Sequence, residues 1–489
     1  MGSNVHLLVL IHGMWGNPTN LAELDRIVTE VHGKREAGTD DDGETPQLEV
    51  LVAQTNRDES TYDGIDWGGE RIAEEVDAKA KEIESSGRKL TKFSVTGYSL
   101  GGLLARYLVG ILHQRRFFDE VQPVNFNTFA TPHIGLLRYP SFISGVWARF
   151  GPTFLSRTGE QFYGVDHWSA TGRSLLEVLA DKDRIFYQAL CLFPNIAIYA
   201  NAVNDITVPY CTSGIDTYDH FANHEFNGMD IEFDPVYEPL IKHYTPGELS
   251  APMKPKPRVF SIKWFKSFQP SRILPPFLQF RFPINLVIYA LIPILVPTFI
   301  ILATIRISLS ARSSRARIRL MEKDESRHTK LVNIFANLER DMETAVAEMI
   351  EGRDPQAAIL GADSANVSAG PSSRESTPPP STMSSTTKSA VMESVAEGAS
   401  VPGSPTNGEG KLCRKKRAPK PPPSQPLLTP RQHAMVLSLN ALPRLKKHLV
   451  FIHPVRNAHA PIVCRDVKRF PAHTRGEGVV RHWADHFEL

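Results

Sequence analysis

The sequence has few cysteines and little net charge. Cys191, Cys211, Cys413 and Cys464 are scattered over 489 residues, and none stands at C-x-x-C spacing. A zinc site and a disulfide framework are therefore not indicated, and free thiols in a reducing compartment are the plain expectation. The formal charge is +2, with 55 Lys and Arg against 53 Asp and Glu. That balance supplies no electrostatic footprint for nucleic acid. The amino terminus carries no basic region and no cleavage-site pattern, and its first apolar run, Val5 to Ile11, is too short for a signal peptide. The expectation is a core strand in a chain whose folded part faces the cytosol. No metal and no organic cofactor is expected.

Chemistry is concentrated in Gly97-Tyr98-Ser99-Leu100-Gly101-Gly102. The preceding Phe93-Ser94-Val95-Thr96 reads as a buried strand, and Leu103 to Val109 are helix formers. A G-x-S-x-G between strand and helix is the context of a nucleophile elbow. The serine sits in a strained turn, Gly97 and Gly101 leave room for neighbouring backbone, and the helix start points N–H groups at the reacting atom. Earlier, Val5 to Ile11 reads as a strand covered on both faces. It leads into His12-Gly13-Met14-Trp15-Gly16. An H-G-x-x-G loop after an early strand is where esterases keep half of the oxyanion hole. The expected donors are the backbone N–H groups of Met14 and Leu100.

Helical spacing of Leu21, Leu24, Ile27, Val28 and Val31 predicts an amphipathic helix, and Lys34 to Thr45 reads as a surface loop. A strand is expected at 48–53, a turn at 61–65, a helix at 69–85 and a strand at 124–130. This alternation predicts a mostly parallel, doubly wound α/β sheet. His133, just after the last of these strands, reads as a structural or pocket-lining histidine. Residues 134–175 form an insert rich in aromatics, among them Phe142, Trp147, Phe150, Phe162 and Trp168. It suits either a lid with an acyl-chain wall or an accessory helical layer. A helix is expected at 174–192 and a strand at 195–202. Asp205 follows in Asn204-Asp205-Ile206-Thr207-Val208-Pro209. Acids that orient a catalytic histidine lie on such loops, in the chain order serine, acid, histidine.

The base must then be sought downstream. His220, His224 and His243 follow no core strand. At the end of the chain, Leu449 to Ile452 reads as a strand, His459 lies in the loop after it, and residues 478–489 read as a final helix. An α/β-hydrolase closes with last strand, histidine loop and final helix, so His459 is the expected base. His482, within the helix, is the alternative, and His486 reads as a surface or packing residue.

Between acid and base, Phe282 to Ile305 contains no charged residue. It carries Pro283, Pro293 and Pro297, and basic residues flank both ends. A proline-broken hydrophobic hairpin over 260–310, dipping into lipid and returning, keeps serine, acid and base on one side of a membrane. A buried apolar helix of a soluble domain is the other reading. Residues 311–355 predict a basic, then amphipathic helix, lying on lipid or packed on the core. Residues 356–430 are rich in Ser, Thr and Pro and are expected to be disordered. Their Lys411 to Lys420 run reads as a linker charge cluster, with a nuclear signal or a lipid patch as alternatives. The hydrolase core is thus expected in two pieces, 1–250 and 431–489.

The strings "LVLIHGMWGNP", "TGYSLGGLLARY", "FATPHIG", "YANAVNDITVP" and "AHAPIVCRD…VVRHWADHF" together resemble the serine-esterase branch of the lipase superfamily. The likeness is greatest to fungal members, which include a lipid-droplet phospholipase of yeast. It covers Val5 to about Tyr210 and Leu449 to Leu489. Tyr98 departs from the histidine that many lipases carry there. The resemblance implies Ser99, Asp205 and His459 as a triad, with Met14 and Leu100 as oxyanion donors. It also implies a glycerophospholipid substrate at a lipid-droplet monolayer or endoplasmic reticulum membrane. Triacylglycerol, lysolipid and acyl-protein thioester are alternative substrates, and a membrane-anchored scaffold is the non-enzymatic alternative. Nothing in the sequence names a protein partner.

Overall fold

The computed structural model describes residues 3–33, 46–169, 172–222, 224–225, 228–246, 284–323 and 425–489. Met1–Ala345 and Pro421–Leu489 form one compact unit; the second unit, Val346–Lys420, lies outside the described residues. So do the loop expected at 34–45, the hairpin's first part, and nearly all of the predicted disordered segment.

In chain order the elements are β1 (Asn4–Ile11), α1 (Ala22–His32), β2 (Gln47–Val52), α2 (Ile65–Ser85), β3 (Lys89–Tyr98), α3 (Leu100–Gln114) and β4 (Gln122–Phe129). The insert contributes α4 (Phe142–Phe154) and α5 (Ser156–Phe162), followed by α6 (Leu175–Leu179) and α7 (Ile185–Cys191). Then come β5 (Asn195–Asn201), α8 (Tyr210–Ser213), a hairpin of β6 (Asp230–Phe233) and β7 (Ile241–Thr245), and α9 (Ile284–Lys323). The chain closes with α10 (Pro430–Asn440), β8 (Leu445–Val450) and α11 (Glu477–Asp485).

Six strands form one sheet in the order β2-β1-β3-β4-β5-β8, with every pairing parallel. β1 explains the pattern. Val5, Leu7, Val9 and Ile11 enter the core under α2, α3 and α7, while Leu8 and Leu10 enter the opposite core under α1 and α11. Alternate side chains of a strand point to opposite faces, so a strand covered twice has no polar side; the run is apolar from Val5 to Ile11 except for His6, whose Nε2 lies 2.7 Å from Ser94 Oγ. Strand order reverses between β1 and β3, where Ile11 lies beside Gly97. Sites form at the carboxyl ends of strands around such a switch. The order, the parallel pairing and the helices on both faces make this an α/β-hydrolase sheet.

Two expectations need correction. The segment 174–192 is two helices, because Asp181-Lys182-Asp183 turns the chain: Asp181 Oδ1 accepts from the Asp183 N–H. The hairpin is not formed where the chain is described. α9 continues from Ile284 to Lys323 through position 297 without turning back. Proline removes one backbone donor but holds φ near the helical value, so a long run of Leu and Ile can carry the helix past it. Among the described residues, no helix is long and apolar enough to cross a membrane.

Candidate active site

β3 ends at Tyr98 and α3 begins at Leu100, so one residue makes the whole turn. Ser99 has φ 56° and ψ −123°. Such a conformation costs an ordinary residue on the order of 1–3 kcal/mol and persists only where neighbours enforce it. They do so here. The Ser99 N–H donates to the Phe129 carbonyl at 2.8 Å, and the Ser99 carbonyl accepts from Gly102 at 3.1 Å. A Cβ on Gly97 would stand 2.4 Å from the Gly101 carbonyl oxygen, and one on Gly101 2.1 Å from that of Ile11. Strand, turn and helix pack at backbone contact.

Three side chains from three distant segments meet here. Ser99 Oγ lies 3.0 Å from His459 Nε2, and His459 Nδ1 lies 3.0 Å from Asp205 Oδ2. All three are buried. With its proton on Nδ1, the imidazole donates to the carboxylate and leaves Nε2 to accept from the serine hydroxyl. Asp205 follows β5 by a short loop and is fixed on its other side: Oδ1 accepts from the N–H groups of Thr207 (3.0 Å) and Val208 (2.8 Å). Asn201, the last residue of β5, donates to Oδ2 at 2.9 Å.

The His459 loop returns to the site because β8 pairs with β5, Asn201 beside Val450. Ala458 then donates to the Asn204 carbonyl at 2.9 Å, tying the base loop to the acid loop. Asn457 joins them again, its Oδ1 accepting from the His459 N–H at 3.1 Å and its Nδ2 donating to Thr207 Oγ1 at 3.1 Å. The Tyr98 ring centre lies 5.1 Å from that of His459, and its hydroxyl donates to the His459 carbonyl at 3.0 Å.

The loop after β1 lies against Ser99. A Cβ on Gly13 would stand 2.7 Å from the Ser99 Cβ. Met14 therefore follows a residue packed against the Ser99 side chain, and Leu100 is the first residue of α3. His12 does not reach the three residues. Its Nδ1 donates to the Gly13 carbonyl at 3.1 Å, stiffening the loop, and burial lowers its pKa, so it serves as a neutral brace. The loop also has an outer support: Asp58 N–H donates to the Gly16 carbonyl, Thr61 Oγ1 accepts from the Trp15 N–H, and Trp15 Nε1 donates to the Tyr62 hydroxyl at 2.7 Å.

The other histidines go elsewhere. His482, the alternative base, is not brought to Ser99; its Nδ1 lies 3.0 Å from the Tyr199 hydroxyl, and its ring packs between His448 and His486. Burial lowers its pKa to about 4. His133 Nε2 lies 3.0 Å from Thr128 Oγ1, and its carbonyl accepts from the buried Arg106. His224 Nδ1 donates to the Phe221 carbonyl, His220 lies near Asp216, and His243 is on β7. No group of His, Cys, Asp and Glu among the described residues is arranged to hold a metal.

Asn201, Asn457 and the Tyr98 hydroxyl escaped the sequence reading. Asn201 and Asn457 could have been suspected from their places four before Asp205 and two before His459. Tyr98 is legible only once the final loop is seen folded over it. The aromatic insert divides: Phe162 and Trp168 join the core, whereas Phe142, Trp147 and Phe150 on α4 are exposed. Beside it, Ile134, Leu136, Phe162, Leu176 and Met435 line part of a cavity of about 490 Å³.

Residues 1–217 match a family described as "Putative serine esterase (DUF676)". The matched part contains Ser99 and Asp205 and stops before His459. "Putative lipase C4A8.10" of Schizosaccharomyces pombe is 29% identical over 233 residues, covering 46% of this chain and 28% of that protein. "Putative lipase ROG1" of Saccharomyces cerevisiae is 28% identical over 213 residues, covering 43% and 28%. The chain thus matches under a third of the length of these curated relatives. Among solved structures, the "putative cell surface hydrolase from Lactobacillus plantarum WCFS1" aligns at 15% identity, covering 43% of this chain and 74% of its own, with a TM-score of 0.23. A score so low decides nothing; the fold rests on the sheet order.

Proposed function

We propose that the chain, whose residues 1–217 match the family described as "Putative serine esterase (DUF676)", is a serine-dependent lipid acyl-ester hydrolase, with a glycerophospholipid as substrate. The observation that carries the reading is the run of contacts Ser99 Oγ–His459 Nε2 and His459 Nδ1–Asp205 Oδ2, both at 3.0 Å, on a serine in an elbow conformation. In the reaction, Ser99 Oγ attacks the ester carbonyl as its proton passes to His459 Nε2. The carbonyl oxygen takes up negative charge, which the N–H groups of Met14 and Leu100 stabilise. His459 returns the proton to the leaving alcohol, and the acyl group stays on Ser99. Water attacks that ester with the same histidine as base, releasing the fatty acid. Asp205 keeps the imidazole in the productive tautomer and offsets its positive charge. Both half-reactions balance without a metal or redox partner.

The choice of lipid is supported by the relatives' printed description as lipases and by exposed Trp15 and Ile206, each one position from a site residue. The setting we propose is the cytosolic surface of a membrane or of a lipid droplet. The test is fatty-acid release from phosphatidylcholine and phosphatidylethanolamine vesicles by the wild type, Ser99→Ala and His459→Ala. Release by the wild type alone supports the reading. An inert wild type, tested also on triacylglycerol and acyl-protein thioesters, contradicts it and leaves a membrane-anchored scaffold.

A further inference from the structure

α9 has two unlike halves. Its carboxyl half is docked on the hydrolase. Ser310, Ala311, Ser314 and Ile318, spaced to share one side of a helix, are buried. Ser314 Oγ meets Ser156 Oγ of α5 at 3.2 Å, and Ile318 packs on Trp67. Arg315 donates to the Thr153 carbonyl of α4 at 2.7 Å. Among its described side chains, the amino half has no such side. Phe299, Ile300, Ile301 and Leu302 are each more than half exposed, and four consecutive residues at about 100° each reach around the whole circumference. Leu291, Ile294, Ile305 and Leu309 extend the exposed apolar surface before and after them.

A protein partner or a second copy would take one face of a helix, leaving the other polar. A helix apolar on all sides suits hydrocarbon. The exposed apolar stretch described here, Leu291 to Ile305, measures roughly 22 Å at about 1.5 Å per residue, enough to enter one leaflet of a bilayer core of ~30 Å. Exposed Arg306 follows at its base, the headgroup level, with exposed Arg312 about 9 Å further along the helix, where cations attract anionic lipid. The neighbouring α4 presents Phe142, Trp147 and Phe150 to solvent, with tryptophan the residue most at home in the interface.

The docked half of α9 is seated on the same short segment that supports the oxyanion loop. Ser310 and Ser313 donate to the Glu59 carboxylate. Arg317 donates to the Glu59 carbonyl at 2.8 Å and to the buried Asp63 carboxylate at 2.9 Å. Residues 58, 61 and 62 of that segment hold Gly16 and Trp15 through the contacts described above. From α9 to Met14 the connection runs through Arg317, residues 59–63 and Trp15.

We propose that the amino half of α9 embeds in a lipid leaflet and that its carboxyl half, through Arg317 and residues 58–63, holds the oxyanion loop in register with that surface. Arg317 is a positioning residue. The proposal deepens the lipid-hydrolase reading and rests on it only for the second clause.

The experiment uses the full chain. Flotation with vesicles of phosphatidylcholine, with and without phosphatidylserine, is measured in a Ser99→Ala background so that hydrolysis does not alter the probe. The triple variant Phe299→Ser, Ile301→Ser, Leu302→Ser is expected to float at least tenfold less, and the wild type to float more with phosphatidylserine present. Arg317→Ala is expected to float within twofold of its parent and to stay folded by thermal melting, because Arg71 still pairs with Asp63 at 2.9 Å. With Ser99 restored, its ratio of vesicle-lipid to soluble short-ester hydrolysis should fall about tenfold, with Arg317→Lys recovering part of it. The emission change of Trp15 on vesicle binding, isolated by difference against Trp15→Phe, should be lost in Arg317→Ala. Undiminished flotation of the triple variant overturns the docking. So does a wild-type dimer in lipid-free buffer that the triple variant abolishes. An unchanged ratio or an unchanged Trp15 signal in Arg317→Ala overturns the linkage. Absence of any ester hydrolysis strikes the functional reading alone, since flotation and Trp15 emission still decide this one.

Discussion

The Tyr98 hydroxyl donates to the carbonyl oxygen of His459 at 3.0 Å. The residue before Ser99 thereby holds His459, which we propose takes the serine proton, although 361 positions separate them in sequence. The bond sets the height of the histidine loop over the elbow. Burial pushes the Tyr98 hydroxyl's pKa up, so it stays a donor across the working range.

Tyr98→Phe removes that donor and keeps the ring against His459. A neutral hydrogen bond of this kind contributes about 0.5–1.5 kcal/mol, and a buried carbonyl is left unpaired. The expected result is a kcat lowered about tenfold with KM nearly constant, read on a soluble short-chain ester, and a small drop in thermal midpoint.

Asn201→Ala tests the outer support of the acid. Its amide donates to the oxygen of Asp205 that also receives His459. Hydrogen bonds to a charged group are worth about 1.5–3 kcal/mol, so kcat should fall roughly 10- to 100-fold. The loss should be smaller than in Asp205→Ala, because Thr207 and Val208 still fix the carboxylate. Equal losses in the two variants would show that Asn201 does more than orient.

Acid should destabilise the chain through the histidines at the β8 edge. Burial lowers the pKa of His448 to about 3, with His482, His486 and Lys446 adding repulsion, and that of His482 to about 4. Tyr199, Tyr237, Asp234 and Asp485 complete their surroundings. A histidine with a depressed folded-state pKa binds protons more readily when unfolded. Its contribution is intact above the unfolded value near 6.5 and is lost as pH falls toward the folded one. Thermal midpoints should therefore decline from about pH 6.5 toward 4. The decline should be shallower in His448→Phe, which keeps a ring beside Tyr199 without the titrating group.

What could be read from the residues follows their local signals. β1 and the elbow were legible because a doubly covered strand is apolar at almost every position and an elbow needs glycine on both sides. Asp205 was legible from its place after a late strand. β8 was only half legible: Lys446, Lys447 and His448 begin it and do not look like a strand, because it is an edge whose polar side chains reach solvent or the histidine cluster. The start of α2 at Ile65 was hidden because its first turn is stabilised from afar, Asp66 pairing with Arg157 of α5. The hairpin expectation gave proline too much weight against a long run of Leu and Ile. Tyr98 acts through a contact across 361 residues and Asn457 joins Thr207 across 250, which no local pattern announces, whereas Asn201 reaches an acid only four residues on.

The central claim is that Ser99 becomes acylated with His459 as its base. The direct measurement is mass spectrometry of the intact chain and its Ser99 peptide after reaction with a long-chain fluorophosphonate. One adduct per chain on Ser99 is expected, forming at least a hundredfold more slowly in His459→Ala and at an unchanged rate in His482→Phe. An unlabelled Ser99 in a folded chain, or labelling that depends on His482 and not on His459, would contradict the account.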